Sequence, residues 1–219
     1  MNKLINEYET IIFDCDGVIL NSNKIKTQAF YEVTKEFGYE VAQKLVDYHL
    51  INGGMSRYMK FKYFITSILK KRYDKILSEK LLINFAKHTK KDLMTCEMAE
   101  GLEHLKAKTQ ATKWLIVSGS DQAELREILK FRSCNKYFEG GIFGSPEDKD
   151  TIIKREIKSG NIKRPALFIG DSKNDYIVAK KAKLDFIFLS KWSEVKDYKS
   201  WCNYNKIYTA ESLLDFIKI

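Results

Sequence analysis

"IIFDCDGVIL", residues 11–20, sets an apolar run directly against two aspartates and a glycine. Ile11, Ile12 and Phe13 follow one another without a polar residue, the pattern of a strand covered on both faces, as in a parallel sheet. Asp14 and Asp16 come next, and the two-residue period of extended chain puts their side chains on the same side. Like charges held close repel by about 4 kcal/mol at roughly 4 Å and an effective dielectric near 20. A cation, a shared proton or bulk water has to offset that repulsion.

Four further apolar runs read as buried strands: "WLIVS" (114–118), "GGIFG" (140–144), "ALFIG" (166–170) and "DFIFLS" (185–190). Helical patterns separate most of them. "SDQAELREILKF" spaces Asp121 and Glu124 as a capping box and sets Leu125, Ile128 and Leu129 on one face. "DTIIKREIKSG" predicts a helix closed by Gly160. Alternating strands and helices predict an α/β chain built as a doubly wound parallel sheet. Residues 21–95 break this rhythm. They hold no strand pattern and read as helices over "KIKTQAFYEVTKEFG", "VAQKLVDYHLI", "SRYMKFKYFITSILKKRY" and "SEKLLINFAKHTKKDL", with Gly53 and Gly54 as punctuation. The expected organisation is a sheet domain made of residues 1–20 and 96–219, with a helical domain, 21–95, inserted after the first strand.

The 219 residues are enough for a sizeable core, and 44% hydrophobic with 13% aromatic residues excludes a disordered chain. The net charge of +9 could suit nucleic acid. Only six of the 38 basic residues are arginines, however, and the lysines are spread along the whole chain. Arginine is the residue of planar phosphate and base contacts, so no nucleic-acid partner is expected. Cys15, Cys96, Cys134 and Cys202 are widely spaced and read as reduced thiols of a cytoplasmic protein. "MNKLINEYET" lacks the apolar stretch of a signal peptide, and no run approaches the ~20 apolar residues of a membrane span. His49, His88 and His104 stand apart, which argues against a histidine metal site.

In an open parallel sheet, ligands bind beyond the carboxyl ends of the strands. Asp14, Asp16 and Gly17 follow the first strand, Ser118, Gly119 and Ser120 follow "WLIV", and Asp171, Ser172 and Asp175 follow "ALFIG". Lys149 lies between the latter two, in "GSPEDKD". Four carboxylates without histidine suit a hard, oxygen-seeking cation, and Mg²⁺ is the expected cofactor. Ser118 and the Gly119 N–H are placed to bind phosphate oxygens at a helix start, and Lys149 adds positive charge. The parts fit phosphoryl transfer to a carboxylate.

These motifs resemble those of the haloacid dehalogenase superfamily of phosphatases and mutases. "DCDGV" is similar to the first motif, "VSGS" to the second, Lys149 in "GSPEDKD" to the third and "GDSKND" to the fourth. The resemblance covers nearly the whole chain. It implies a Rossmann-like core, with the helical cap of the subgroup that contains phosphoglycolate phosphatase and beta-phosphoglucomutase. It further implies that Asp14 is the nucleophile and that Asp16 protonates the leaving oxygen and then activates water. Mg²⁺ is implied to sit on the Asp14 carboxylate, the Asp16 backbone carbonyl and Asp171, with Asp175 orienting metal-bound water or Lys149. Gly17 would allow the turn that swings Asp16 away from the strand. In the cap, "GGMSR" resembles the family's substrate-specificity loop, so Arg57 would reach a second phosphate or carboxylate of the substrate. Lys26 stands where mutase relatives place a histidine that helps gate the chemistry. The expected activity is hydrolysis of a small phosphorylated metabolite, such as a sugar phosphate. A phosphomutase using the same residues, and a non-catalytic binding or regulatory module, are the alternatives.

Overall fold

Thr10–Phe13 forms strand β1, and in the computed structural model, which describes residues 4–217, it lies inside a six-stranded sheet. Its neighbours are β2 (Lys113–Asp121) and β4 (Ala166–Gly170). Beyond them come β3 (Ile142–Ser145) on one side, and β5 (Asp185–Leu189) and then β6 (Tyr208–Ala210) on the other. Every pairing is parallel. The two-residue period explains why β1 has no polar face. Ile11 and Phe13 pack into one apolar cluster with Trp114, Ile116 and Ile169, whereas Ile12 packs into a second cluster with Leu115, Val117 and Phe168. Each cluster is one side of a doubly covered sheet.

Register positions the site. Phe13 lies opposite Ile116 on β2 and Ile169 on β4, so β1 and β4 end within a residue of each other while β2 runs on to Asp121. Asp14, Ser118 and Asp171 therefore emerge along one edge of the sheet.

The helical block comprises α1 (Asn23–Thr34), α2 (Tyr39–Ile51), α3 (Arg57–Tyr63) and α4 (Lys75–Thr95). These helices gather around a cluster of their own, with Phe30, Leu45, Phe61, Phe64, Leu81 and Phe85. The two segments that join the block to the sheet pair with each other. Leu20 and Met98 form an antiparallel bridge, and the N–H groups of Asn21 and Ala99 donate to Glu97 and Ile19. The sheet is flanked by α5 (Leu102–Lys108), α6 (Gln122–Phe131), α7 (Lys149–Lys158), α8 (Lys173–Lys181) and α9 (Tyr198–Asn205).

Three expectations need correction. The single helix expected over residues 56–73 is α3 followed by a π turn, Phe64–Ile68, with no helix from Leu69 to Asp74. Three of the five turn residues are β-branched, which suits a regular helix poorly. Lys70 then turns left-handed at φ 54°, ending helical geometry, and Asp74 caps α4 by accepting the Leu77 N–H. The apolar runs predict five strands, and the sheet has a sixth, β6, paired with β5. The expected capping box on α6 is half present. Asp121 accepts the Glu124 N–H as N-cap, but the Glu124 carboxylate points to Arg57 instead.

Candidate active site

Asp14 leaves the end of β1 only 2% exposed, with its Oδ1 accepting the Cys15 N–H at 2.7 Å. Its other oxygen meets the Lys149 Nζ at 2.7 Å. Lys149 is the first residue of α7, itself capped by Asp148, and its Nζ also donates to Asp175 Oδ1 at 2.6 Å. Asp175 is fully buried in the first turn of α8, where the Ser172 N–H and hydroxyl donate to its Oδ2. That reciprocal cap fixes the carboxylate. Asp171, the residue after β4, accepts the Asn23 Nδ2 from α1 at 2.6 Å. Each of Asp14, Asp171 and Asp175 offers an oxygen within 4.8 Å of the other two. A buried, all-oxygen donor set of this size suits a hard divalent cation and gives a soft metal nothing to bind.

Asp16 has turned away from this cluster. Gly17 makes the turn at φ 73°, where an added Cβ would come 2.1 Å from Asp171 Oδ2, so glycine is required there on both counts. The Asp16 carboxylate meets the Lys26 Nζ at 2.5 Å and accepts the hydroxyls of Ser22 and Ser120, each at 2.5 Å. Each acid of "DCD" thus has its own ammonium counter-charge, Lys149 for Asp14 and Lys26 for Asp16. Cys15 between them is buried in the core, and burial raises its thiol well above the ordinary range.

The two acids are held in different states. Burial pushes Asp14 up to about 7 against the pull of Lys149, with Asp175 and Asp16 adding to the rise. Burial, helped by Asp175 and Asp14, also raises Asp171 well above its ordinary value. Burial opposes ionisation of Asp16 too, but Lys26 and the two serine hydroxyls outweigh it and hold that carboxyl below the usual range. Lys149 stays charged, since Asp14 and Asp175 outweigh its burial.

A cavity lies between the strand ends and the helical block, lined by Asp14, Asp16 and Gly119 from the sheet side and by Lys26, Arg57 and Lys60 from the helices. The loop before α3 reaches down to the strand ends. An added Cβ on Gly119 would lie 2.4 Å from the Gly54 carbonyl oxygen, and one on Gly54 would lie 2.6 Å from Ser172 Oγ. Arg57 is buried, with its Nη2 on Glu124 Oε2 at 2.9 Å, while its Nη1 is buried without a partner among the described residues. Ser118 stands behind the cavity wall. It is fully buried, and its Oγ accepts the Ser120 N–H at 3.1 Å. The hydroxyl facing the cavity is that of Ser120, the second serine of "VSGS". Sequence reasoning also passed over Asn23, His49, Lys60 and Glu194. Their contacts join elements far apart in the chain and left no local motif.

Residues 11–189 match the haloacid dehalogenase-like hydrolase family. The chain belongs to that family. A phosphoglycolate phosphatase of Colwellia psychrerythraea is 23% identical over 196 residues, which cover 85% of this chain and 86% of the relative. Among solved structures, a predicted phosphatase from Clostridium acetobutylicum superposes with a TM-score of 0.74 at 20% identity, covering 99% of this chain and 98% of its own. A protein from Bacteroides vulgatus inferred to be a beta-phosphoglucomutase gives 0.75 at 15% identity, covering 96% and 86%. At these identities the superpositions establish the fold, and this haloacid dehalogenase-like hydrolase shares it from end to end. Among the described residues, no helix is long and apolar enough to cross a membrane.

Proposed function

We propose that the protein is a Mg²⁺-dependent phosphatase that hydrolyses a small phosphorylated metabolite, such as a sugar phosphate, through an aspartyl-phosphate on Asp14. The observation that carries this reading is the division of labour between two neighbouring acids. Asp14 faces Lys149 and the acid cluster, while Asp16 has turned to separate partners across the cavity. In the first step an Asp14 oxygen forms a bond to phosphorus as the ester P–O bond breaks. Asp16 gives its proton to the departing oxygen, and the phosphate dianion beside it favours that acid form by like-charge repulsion. In the second step Asp16, returned to a carboxylate and steadied by Lys26, takes a proton from the water that attacks the phosphoryl group. Asp14 is released with inorganic phosphate. Asp14, Asp171 and the Asp16 carbonyl would hold Mg²⁺, with Asp175 behind them holding Lys149. A bound Mg²⁺ supplies charge that lets carboxylates and phosphate share the site.

The helical block acts as a cap in this reading. Its linkers pair as a ribbon able to flex, and the Gly53–Gly54 loop carries Arg57 to the cavity, where the unpartnered Nη1 is available to a distant substrate group. The relative's name as a phosphoglycolate phosphatase favours hydrolysis over phosphate return, as does Lys26 in place of a histidine. A screen of phosphorylated metabolites, scored for free phosphate against isomer formation, decides between hydrolase and mutase. Chelator should abolish turnover and Mg²⁺ restore it, and Asp14→Asn should leave no phosphoenzyme detectable by mass spectrometry. Full turnover in excess chelator, or a labelled Asp14→Asn protein, would remove Asp14 from the role.

A further inference from the structure

Asn23 is the first residue of α1, where the chain enters the helical block. Its side-chain nitrogen carries two donors, and both are used. One goes to Asp171 Oδ2 at 2.6 Å and the other to the Trp192 carbonyl at 2.9 Å. That carbonyl can only accept, so the nitrogen of the amide and not its oxygen faces the pair. Gly17 leaves room for the meeting. An added Cβ there would lie 2.1 Å from Asp171 Oδ2 and 2.5 Å from Asn23 Nδ2.

The loop after β5 closes the arrangement. Ser193, next to Trp192, donates its hydroxyl to the Asp171 backbone carbonyl at 2.6 Å, and the same hydroxyl accepts the Val195 N–H at 3.2 Å. Asp171 is therefore held at both ends, its carboxylate by Asn23 and its backbone by Ser193, and the Trp192–Ser193 peptide joins the two holds into a ring. The three acids of the cluster differ in this respect. Asp14 is fixed by Lys149 and the Cys15 N–H, and Asp175 by Lys149 and two donors of Ser172. Among the described residues, no hydrogen bond but that of Asn23 reaches the Asp171 carboxylate. The amide occupies one of about four lone-pair sites on that group. The carboxylate keeps its capacity for a cation and loses its freedom to turn. The start of α1 is tied to the sheet domain on either side as well. The Ser22 hydroxyl donates to Asp16 at 2.5 Å, and Thr27, one turn on, donates to Glu194 of the same loop at 2.8 Å.

We propose that Asn23 is a positioning residue that aims the Asp171 carboxylate at the cation and, because it opens the helical block, makes cation binding and the seating of that block depend on each other. The assignment rests on the metal-binding part of the phosphatase reading and adds a residue outside the acid cluster. Outer groups that orient a metal's ligands typically contribute 10–100-fold in metal affinity. Coupling between two binding equilibria is reciprocal, so whatever steadies Asp171 also steadies the first turn of α1.

The test reads cation binding and not turnover. Mn²⁺ is the probe, because it takes the same oxygen donors as Mg²⁺ and its electron paramagnetic resonance separates bound from free ion. On the full chain, Asn23→Leu, which keeps the size and lacks the donors, and Asn23→Ala should each bind Mn²⁺ at least tenfold more weakly than the wild type. Thr27→Val loosens α1 from the same loop without touching Asp171, and its Mn²⁺ affinity should stay within about threefold. In the wild type, Mn²⁺ should slow amide hydrogen exchange over residues 21–27, and both Asn23 variants should lose that response. A loss of affinity below tenfold in both Asn23 variants overturns the proposal. So does an equal loss in Thr27→Val, which marks a merely structural contact, and so does wild-type exchange that ignores Mn²⁺. A wild type that takes up no Mn²⁺ overturns the metal reading itself, an outcome distinct from tight binding that Asn23 does not influence.

Discussion

Lys60 shows what burying a single charged side chain costs the fold. A lysine held near 7 in the native state returns to about 10.4 when the chain unfolds. Between these values the unfolded chain binds the extra proton, so stability rises with pH across that window. Below about 7 both states are protonated and the penalty of the buried charge is complete. Lys60→Met removes the penalty while keeping the apolar stem. Its melting temperature should exceed the wild type's by several degrees at pH 6, and the difference should shrink steadily towards pH 10. A difference that does not change with pH would mean that Lys60 is not the titrating group. Little of this was legible in the sequence. "RYMKFKY" looks like an ordinary amphipathic turn, and the burial of its first lysine follows from His49 and Phe30, which approach only when α1 and α2 pack on α3.

The elements divide along the same line. The buried strands and the carboxylates that follow β1 and β4 were legible, because strand identity is carried by local apolar runs and the acids stand directly after them. Strand β6 was not, since three residues with two exposed side chains carry no apolar signal. Glu124 was read as a helix cap because spacing alone cannot show Arg57 arriving from another element. Past Ser118, where the apolar run ends, β2 continues, with a shift in register between Val117 and Asp121. That irregular stretch carries Gly119, and the loop holding Gly54 rests on it. Gly119→Ala would drive a methyl into the Gly54 carbonyl, and backbone cannot yield as a flexible side chain can. The loop before α3 should lift, with faster amide exchange over residues 52–58. Turnover of a specific substrate should fall at least tenfold while the melting temperature stays within a few degrees. Unchanged exchange in that loop would show that the contact relaxes locally and does not hold the cap down.

At the scale of the whole molecule, sheet and helical block each have an apolar core, and several polar pairs join the two. Arg57 meets Glu124, Tyr58 donates to Asp121, Thr27 donates to Glu194 and Lys26 meets Asp16. The helical block shows in the sequence as a break in the strand–helix rhythm, but its docking does not, since each of these pairs joins residues distant in sequence. The acid cluster has a consequence of a different kind. Three carboxylates crowded out of water oppose one another whenever nothing binds them, and a protein that keeps them accepts a less stable resting fold in exchange for its activity. Asp171 expresses this most directly. Its native value is raised, so above the ordinary carboxyl range the unfolded chain has already released a proton that the native chain retains, and stability falls as pH climbs. Asp171→Asn can still accept the Asn23 amide. In chelator at pH 7 it should melt above the wild type, with the advantage fading towards pH 4, and it should be inactive. A variant that melts at or below the wild type under those conditions would mean that the crowding is already relieved within the fold. If the advantage is found, random selection for heat resistance alone should repeatedly discard these aspartates, and a thermostable descendant of this enzyme would have to be screened for activity at every round.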